Sequence, residues 1–270
     1  MQEVVEEVKR ESIRSLVADG KRPDGRAFDQ FREITYETNV ISTAEGSCLL
    51  HLGDTQILVA VKTAAGEPYP DSPDEGVLIT SAELVPLAAP DVESGPPLSS
   101  DKYIEIARVV DRSIRESKMI DFSKLCLERG KYVVVVFVDI HTLDDGGNLI
   151  DGATLASVIA LLTCRMKKWE LVDGKPVAAA GQTQALPIRR IPIACSVAKF
   201  GKALLVDTTH EEEIGMDSKI VFGLDEEEHI RAIQKTGSGP WSREEIEAAL
   251  ELARKTVSDL RKKLKLEVAA

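Results

Sequence analysis

The chain has 270 residues, 43% of them hydrophobic, enough to bury a full core as one large domain or, as expected here, two lobes. Its apolar runs are shorter than the roughly 18 residues a membrane helix needs, and residues 1–10 lack the basic-then-apolar character of a secretory signal, so a cytoplasmic location is expected. With 45 acidic and 34 basic side chains the net charge is −11, which gives no global attraction to a polyanion and makes any nucleic-acid site a local one.

Residues 3–18 space Val4, Val5, Val8, Leu16 and Val17 as one side of a helix, with Gly20 as its stop, and predict a docking helix over 1–20. After the turn-like 21–26 come a strand over 33–40 and a hairpin of 47–52 with 55–63 around Gly53-Asp54. A Gly/Pro/Asp-rich loop over 66–76 leads to a strand over 77–87 and a Pro/Ser-rich exposed loop over 90–100. Tyr103, Ala107, Val110 and Ile114 then recur at helical steps up to Ser117.

The β-branched run 132–140 predicts a central strand covered on both faces. A glycine turn at 144–148 precedes a helix over 151–169 with Ala153, Ala156, Ser157, Ala160 and Cys164 on one side. Residues 171–187 are Gly/Ala/Gln/Pro-rich without periodicity and are expected to be a linker between a first lobe over 21–170 and a second over 188–270. The second lobe should carry a hairpin of 193–199 with 203–208 around Phe200-Gly201 and two strands flanking 225–228. It ends in a helix opened by a Ser242/Glu245 capping box, with Ile246, Leu250, Ala253, Val257, Leu260 and Leu264 as its stripe.

Few residue patterns suggest chemistry. Arg108, Arg112 and Arg115 fall within roughly 60° of one another around a helix, a stripe able to grip successive phosphates of a single strand. Asp101 and Glu105 stand at spacings that instead suit ordinary ion pairs with it. Asp139, His141, Asp144 and Asp145 offer hard-cation ligands, but turn formation explains the aspartates and no metal site is expected. The acidic run 207–217 reads as a charged loop whose carboxylates would suit metal binding or proton transfer. Cys48, Cys126, Cys164 and Cys195 form no Cys-x-x-Cys pair and read as buried hydrophobes. Nothing matches a serine-hydrolase elbow or a nucleotide-binding phosphate loop.

Four segments, in order, resemble the ribonuclease PH family: Arg22-Pro-Asp-Gly-Arg26, Gly46-Ser-Cys-Leu-Leu-His-Leu-Gly-Asp-Thr55, Glu105-Ile-Ala-Arg-Val-Val-Asp-Arg112 and Asp151-Gly-Ala-Thr-Leu-Ala156. The similarity runs from about Lys21 to the last helix and is closest to the non-catalytic ring subunit of the archaeal exosome. It implies an α/β (α+β) fold of two β-α-β-α lobes with mixed sheets covered by helices. It also implies an alternating hexameric ring with a catalytic ribonuclease PH-like partner, RNA-binding cap proteins and single-stranded RNA. Active members release nucleoside diphosphates from RNA 3′ ends by attack of inorganic phosphate, which is positioning plus charge neutralisation.

Against that pattern two parts are missing. Active members hold phosphate with a Gly-Ser/Thr-Arg element, whereas this chain has Asp144-Asp-Gly-Gly-Asn-Leu-Ile-Asp151 and no arginine between Arg129 and Arg165. Counting from Asp207, the family's first acid becomes Glu213, while the second count lands at Lys219 or Ser218 and leaves Asp217 displaced. The resemblance therefore implies no catalytic residues here, with Asp207, Glu213 and Asp217 a vestigial set. It implies no cofactor of the chain's own; inorganic phosphate, with a divalent metal as a further candidate, would belong to the partner's site. RNA would be held by Arg108, Arg112 and Arg115, with Lys62 a weaker candidate. The alternatives are a self-sufficient phosphorolytic nuclease using Glu213 and Asp217, and a purely architectural scaffold.

Overall fold

A computed structural model describes residues 2–84, Ala88 and residues 101–266. In chain order the elements are α1 (Gln2–Ala18), β1 (Ile34–Thr38), β2 (Gly46–Leu52), β3 (Thr55–Gly66), β4 (Val77–Leu84), α2 (Asp101–Glu116), β5 (Cys126–Glu128), β6 (Tyr132–Asp144) and α3 (Leu149–Leu162). They continue with β7 (Arg165–Val172), β8 (Lys175–Ala185), β9 (Ile193–Phe200), β10 (Ala203–Val206), α4 (His210–Gly215), β11 (Ser218–Leu224), β12 (Ile230–Thr236) and α5 (Arg243–Leu264).

Turn chemistry sets the hairpins. Leu52 faces Thr55 across Gly53 at φ +55°, and Phe200 faces Ala203 across Gly201 at φ +58°, both left-handed conformations that glycine adopts without a side-chain clash. The first sheet runs β1-β2-β3-β6-β4, antiparallel except for β4 beside β6, with β5 also on β6. The second, β10-β9-β11-β12, is antiparallel throughout, so the expectation of mixed sheets holds for the first lobe alone.

The core lies around α3, whose residues 149–161 are all buried. The expected single small-residue side is therefore replaced by contact all round: α3 packs on β2 and β3 of one sheet and on β9 of the other. Backbones approach closely there, and a Cβ on Gly46 of β2 would stand 2.4 Å from the Ala160 carbonyl oxygen. Asp151, in the first turn of α3, crosses to β9 by accepting the Ser196 backbone N–H at 2.8 Å and the Ser196 hydroxyl at 2.7 Å.

Several predicted details change. α3 stops at Leu162, and residues 165–169, expected in the helix, instead open β7, which runs to Val172. The supposed linker 171–187 is largely β8, because Asp173 and Gly174 at φ +50° and +74° make a two-residue turn that pairs Val172 with Lys175. Local turn chemistry outweighs a composition without periodicity. β6 is covered on both faces only over 133–136 and then alternates, since helices pack on one face of its sheet. Among the described side chains of α1 the buried ones are Ile13 and Val17, facing Phe200 and Leu205, while Val8 is exposed; those of Val4 and Val5 lie outside the description. α5 has its capping box, worth about 1 kcal/mol, but Ile246 is exposed and Ala249 and Thr256 join the buried stripe. The predicted end of the strand at 85–87 and the loop 90–100 lie outside the described residues. No helix among the described residues is long and apolar enough to cross a membrane.

Candidate functional site

The acidic run is not a loop. Thr209 caps α4 with a capping box: its hydroxyl accepts the Glu212 backbone N–H at 3.3 Å, and its own N–H donates to Glu212 Oε2 at 2.9 Å. Three acids of this run are committed to distant arginines. Glu212 accepts two bonds from Arg22, at 2.8 and 2.7 Å, with both side chains fully buried. Asp207, also buried and at φ +47°, accepts from Arg32 at 2.8 Å, Arg26 at 2.9 Å and the Asn148 amide at 2.9 Å. Asp217 takes Arg14 and the Gly201 N–H, each at 2.7 Å. Asp207 and Asp217, read from sequence as part of a vestigial catalytic set, therefore hold the N-terminal segment to the second lobe.

Glu213 is different, because its partner is local. Lys219 Nζ lies 2.8 Å from Glu213 Oε1, and the Asn148 backbone N–H, at the start of α3, donates to the same oxygen at 3.2 Å. Both side chains are mostly enclosed, 15% exposed for Glu213 and 9% for Lys219. Burial raises the Glu213 carboxyl, but the adjoining Lys219 charge outweighs it and holds the group below the usual glutamate range. Burial likewise lowers Lys219, and Glu213 more than reverses it, so the pair is an ion pair from either side.

The turn before α3 is closed in the same way. Asp145 is buried, accepting the Gly147 N–H at 3.1 Å and Lys102 Nζ at 2.7 Å. Gly147 sits at φ +92°, and a Cβ there would come within 2.3 Å of the His210 nitrogen, so the turn is pressed against the start of α4. A general base needs a free carboxylate and an anion site needs free donors. Here both carboxylates face ammonium groups, and the Asn148 and Gly147 amides already donate to them. The four groups considered as metal ligands do not converge: Asp139 accepts the Ser81 hydroxyl at 2.7 Å, His141 lies 3.6 Å from Glu83, and Asp145 holds Lys102. Asp225, Glu227 and His229 do cluster, but Asp225 is already taken by Arg190 at 2.9 Å and Arg231 at 2.6 Å.

The arginine stripe divides. Arg115 pairs with Asp111 at 2.9 Å and donates to the Leu78 carbonyl at 3.1 Å, which ties α2 to β4. Arg108 is exposed and Arg112 half-buried, and neither makes an ion pair among the described residues. They line one open cleft of about 520 Å³ with Lys102, Ile104, Glu105 and Gln234. Glu105, expected to pair with the stripe, turns instead to Thr236 and Gln234 on β12; the Asp101 side chain lies outside the description. Lys62 is exposed on β3 opposite Phe137, away from this cleft's lining.

Residues 30–167 match domain 1 of the 3′ exoribonuclease family (RNase PH), and residues 190–256 match its domain 2. The chain belongs to the ribonuclease PH family. It is 44% identical to exosome complex component Rrp42 of Pyrococcus abyssi over 96% of this chain and 94% of that protein. It is equally 44% identical to the Rrp42 of Methanopyrus kandleri, over 97% of each chain. A solved structure described as the Archaeoglobus fulgidus exosome with RNA bound to the active site matches with a TM-score of 0.87 and 41% identity, covering 97% of this chain and 99% of that one. One described as an archaeal exosome core matches at 0.85 and 38%, covering 98% and 100%.

Within this ribonuclease PH fold, Lys102, Asn148 and Gln234 are site residues that sequence reading missed. Each faces the site only through a distant element: Lys102 through the turn at Asp145, Asn148 through α4, and Gln234 through an edge strand of the other lobe. No spacing along α2 signals them.

Proposed function

We propose that this chain is a non-catalytic ring subunit of an archaeal exosome, a 3′-to-5′ phosphorolytic RNA-degrading complex. In this reading it shapes the active site of a catalytic ribonuclease PH-like partner in an alternating hexamer and helps to hold single-stranded RNA. Its near-full-length similarity to Rrp42 proteins supports membership of the complex. The observation that carries its inactivity is the Glu213–Lys219 pair. Lys219 stands where the count along the family pattern asks for a second carboxylate, and it neutralises the first.

A phosphorolytic site must gather anionic phosphate and RNA while keeping a carboxylate free to manage a proton or a metal. This chain offers phosphate two paired aspartate-turn amides and no arginine in that turn. It does offer RNA the Arg108 and Arg112 guanidiniums, suited to sequence-independent phosphate contacts.

The test is a ring assembled from this chain and a catalytic partner whose own active-site carboxylates have been replaced. Expected is assembly with no phosphate-dependent release of nucleoside diphosphate. Release from that ring would assign the chemistry to this chain.

A further inference from the structure

Glu105 stands three residues before Arg108 on α2, a spacing at which glutamate and arginine ordinarily pair on a helix. Its Oε1 instead accepts from two donors on β12, the Thr236 hydroxyl and the Gln234 amide, the latter at 3.3 Å. Gln234 presents its other end to α2: its Oε1 accepts from Arg112 Nη2 at 2.8 Å. The amide orientation is fixed by chemistry. A guanidinium has only donors and must meet the amide oxygen, whereas a carboxylate only accepts and must meet the amide nitrogen. Glutamate at this position would meet Glu105 as a like charge, and lysine would repel Arg112. An uncharged side chain with both a donor and an acceptor satisfies both neighbours.

The result is a cleft whose one glutamate is drawn toward the second lobe while its two guanidiniums stay outside any ion pair among the described residues. The geometry points to Gln234 and Thr236 as positioning residues that keep Glu105 from Arg108 and aim Arg112, so that both charges remain available to the phosphates of an RNA strand. This rests on the RNA-holding role proposed above. Freed from β12, Glu105 would return to Arg108 at the i, i+3 position and cancel part of the charge that binds phosphate.

The experiment uses the ring assembled with its catalytic partner and a fluorescent single-stranded oligoribonucleotide, with affinity read by anisotropy. Gln234→Met with Thr236→Val is expected to weaken binding roughly fivefold, the scale of one compromised hydrogen-bonded contact. Adding Glu105→Gln to that variant should restore most of the affinity, by more than the same change gains in the parent chain. General damage to β12 would not be repaired by a change on α2, so this recovery separates positioning from folding. Unchanged affinity in the β12 variant, or no excess recovery with Glu105→Gln, overturns the inference. Arg112→Ala is the control: if it too leaves affinity unchanged, the RNA-holding role falls along with the inference. If Arg112→Ala weakens binding and the β12 variant does not, only the positioning role falls.

Discussion

The Glu213–Lys219 pair sets the electrostatics of the candidate site, and its energetics follow from burial. Removing one member of an enclosed pair leaves an uncompensated charge, whereas removing both leaves none. Lys219→Met should therefore destabilise the purified chain by about 3 kcal/mol, and adding Glu213→Gln should recover a substantial part, as urea denaturation would measure. Asp151 gives a separate pH signature. Burial pushes its carboxyl up to about 6, against the opposing bonds from Ser196. The folded chain thus retains a proton that an unfolded aspartate, with its ordinary value of about 3.9, has already released. The stabilising contribution is full below the unfolded value and is lost as pH rises through the folded one. Melting-temperature differences between the parent chain and Asp151→Asn should shift against the parent from pH 4 to pH 7; a constant difference contradicts the assignment. Counting along one continuous segment narrowed the position to Lys219 or Ser218, and the Glu213 contact picks out Lys219. The arginines that hold Asp207 and Glu212 were not legible in this way, because Arg22, Arg26 and Arg32 come from the far end of the chain.

α2 carries three arginines on one side, but the fold gives them different work. Arg115 fastens α2 to β4, while Arg108 and Arg112 face the cleft shared with β12. Replacing Arg108 and Arg112 together by alanine should lower RNA affinity of the assembled ring about tenfold or more and flatten its salt dependence, since each phosphate contact releases counterions. Arg115→Ala should leave the salt slope unchanged and lower the melting temperature instead. The helical spacing revealed the stripe but not this division, which depends on Asp111, Leu78 and Gln234. The elements that sequence located best carry their own signals: glycines at Gly53 and Gly201, and the Ser242 capping box. β7 and β8 were missed for the opposite reason. Arg165 to Trp169 followed the expected helix without a breaking glycine or proline, and β8 lacks alternation, so the Asp173-Gly174 turn was the one local sign of their pairing.

At the scale of the whole molecule, two sheets share one buried helix, and the turn that opens that helix is held by Lys102 through Asp145 and by α4 through Glu213. The two-lobed α+β fold was legible from four ordered motifs, while the closure of the site was only half so. The resemblance led to the expectation that the arginine and the second carboxylate are missing; the folded chain adds that Asp145 and Glu213 are paired with Lys102, Lys219 and backbone amides. Under the proposed function, a site whose Glu213 and Asp145 carboxylates are neutralised in this way acts through a partner. The most direct measurement is release of nucleoside diphosphate from a 3′-ended RNA in inorganic phosphate, first by this chain alone and then after mixing with a catalytic member of the family. The account predicts none above background from the chain alone and phosphorolysis from the mixed ring. Robust release by the chain alone would contradict it.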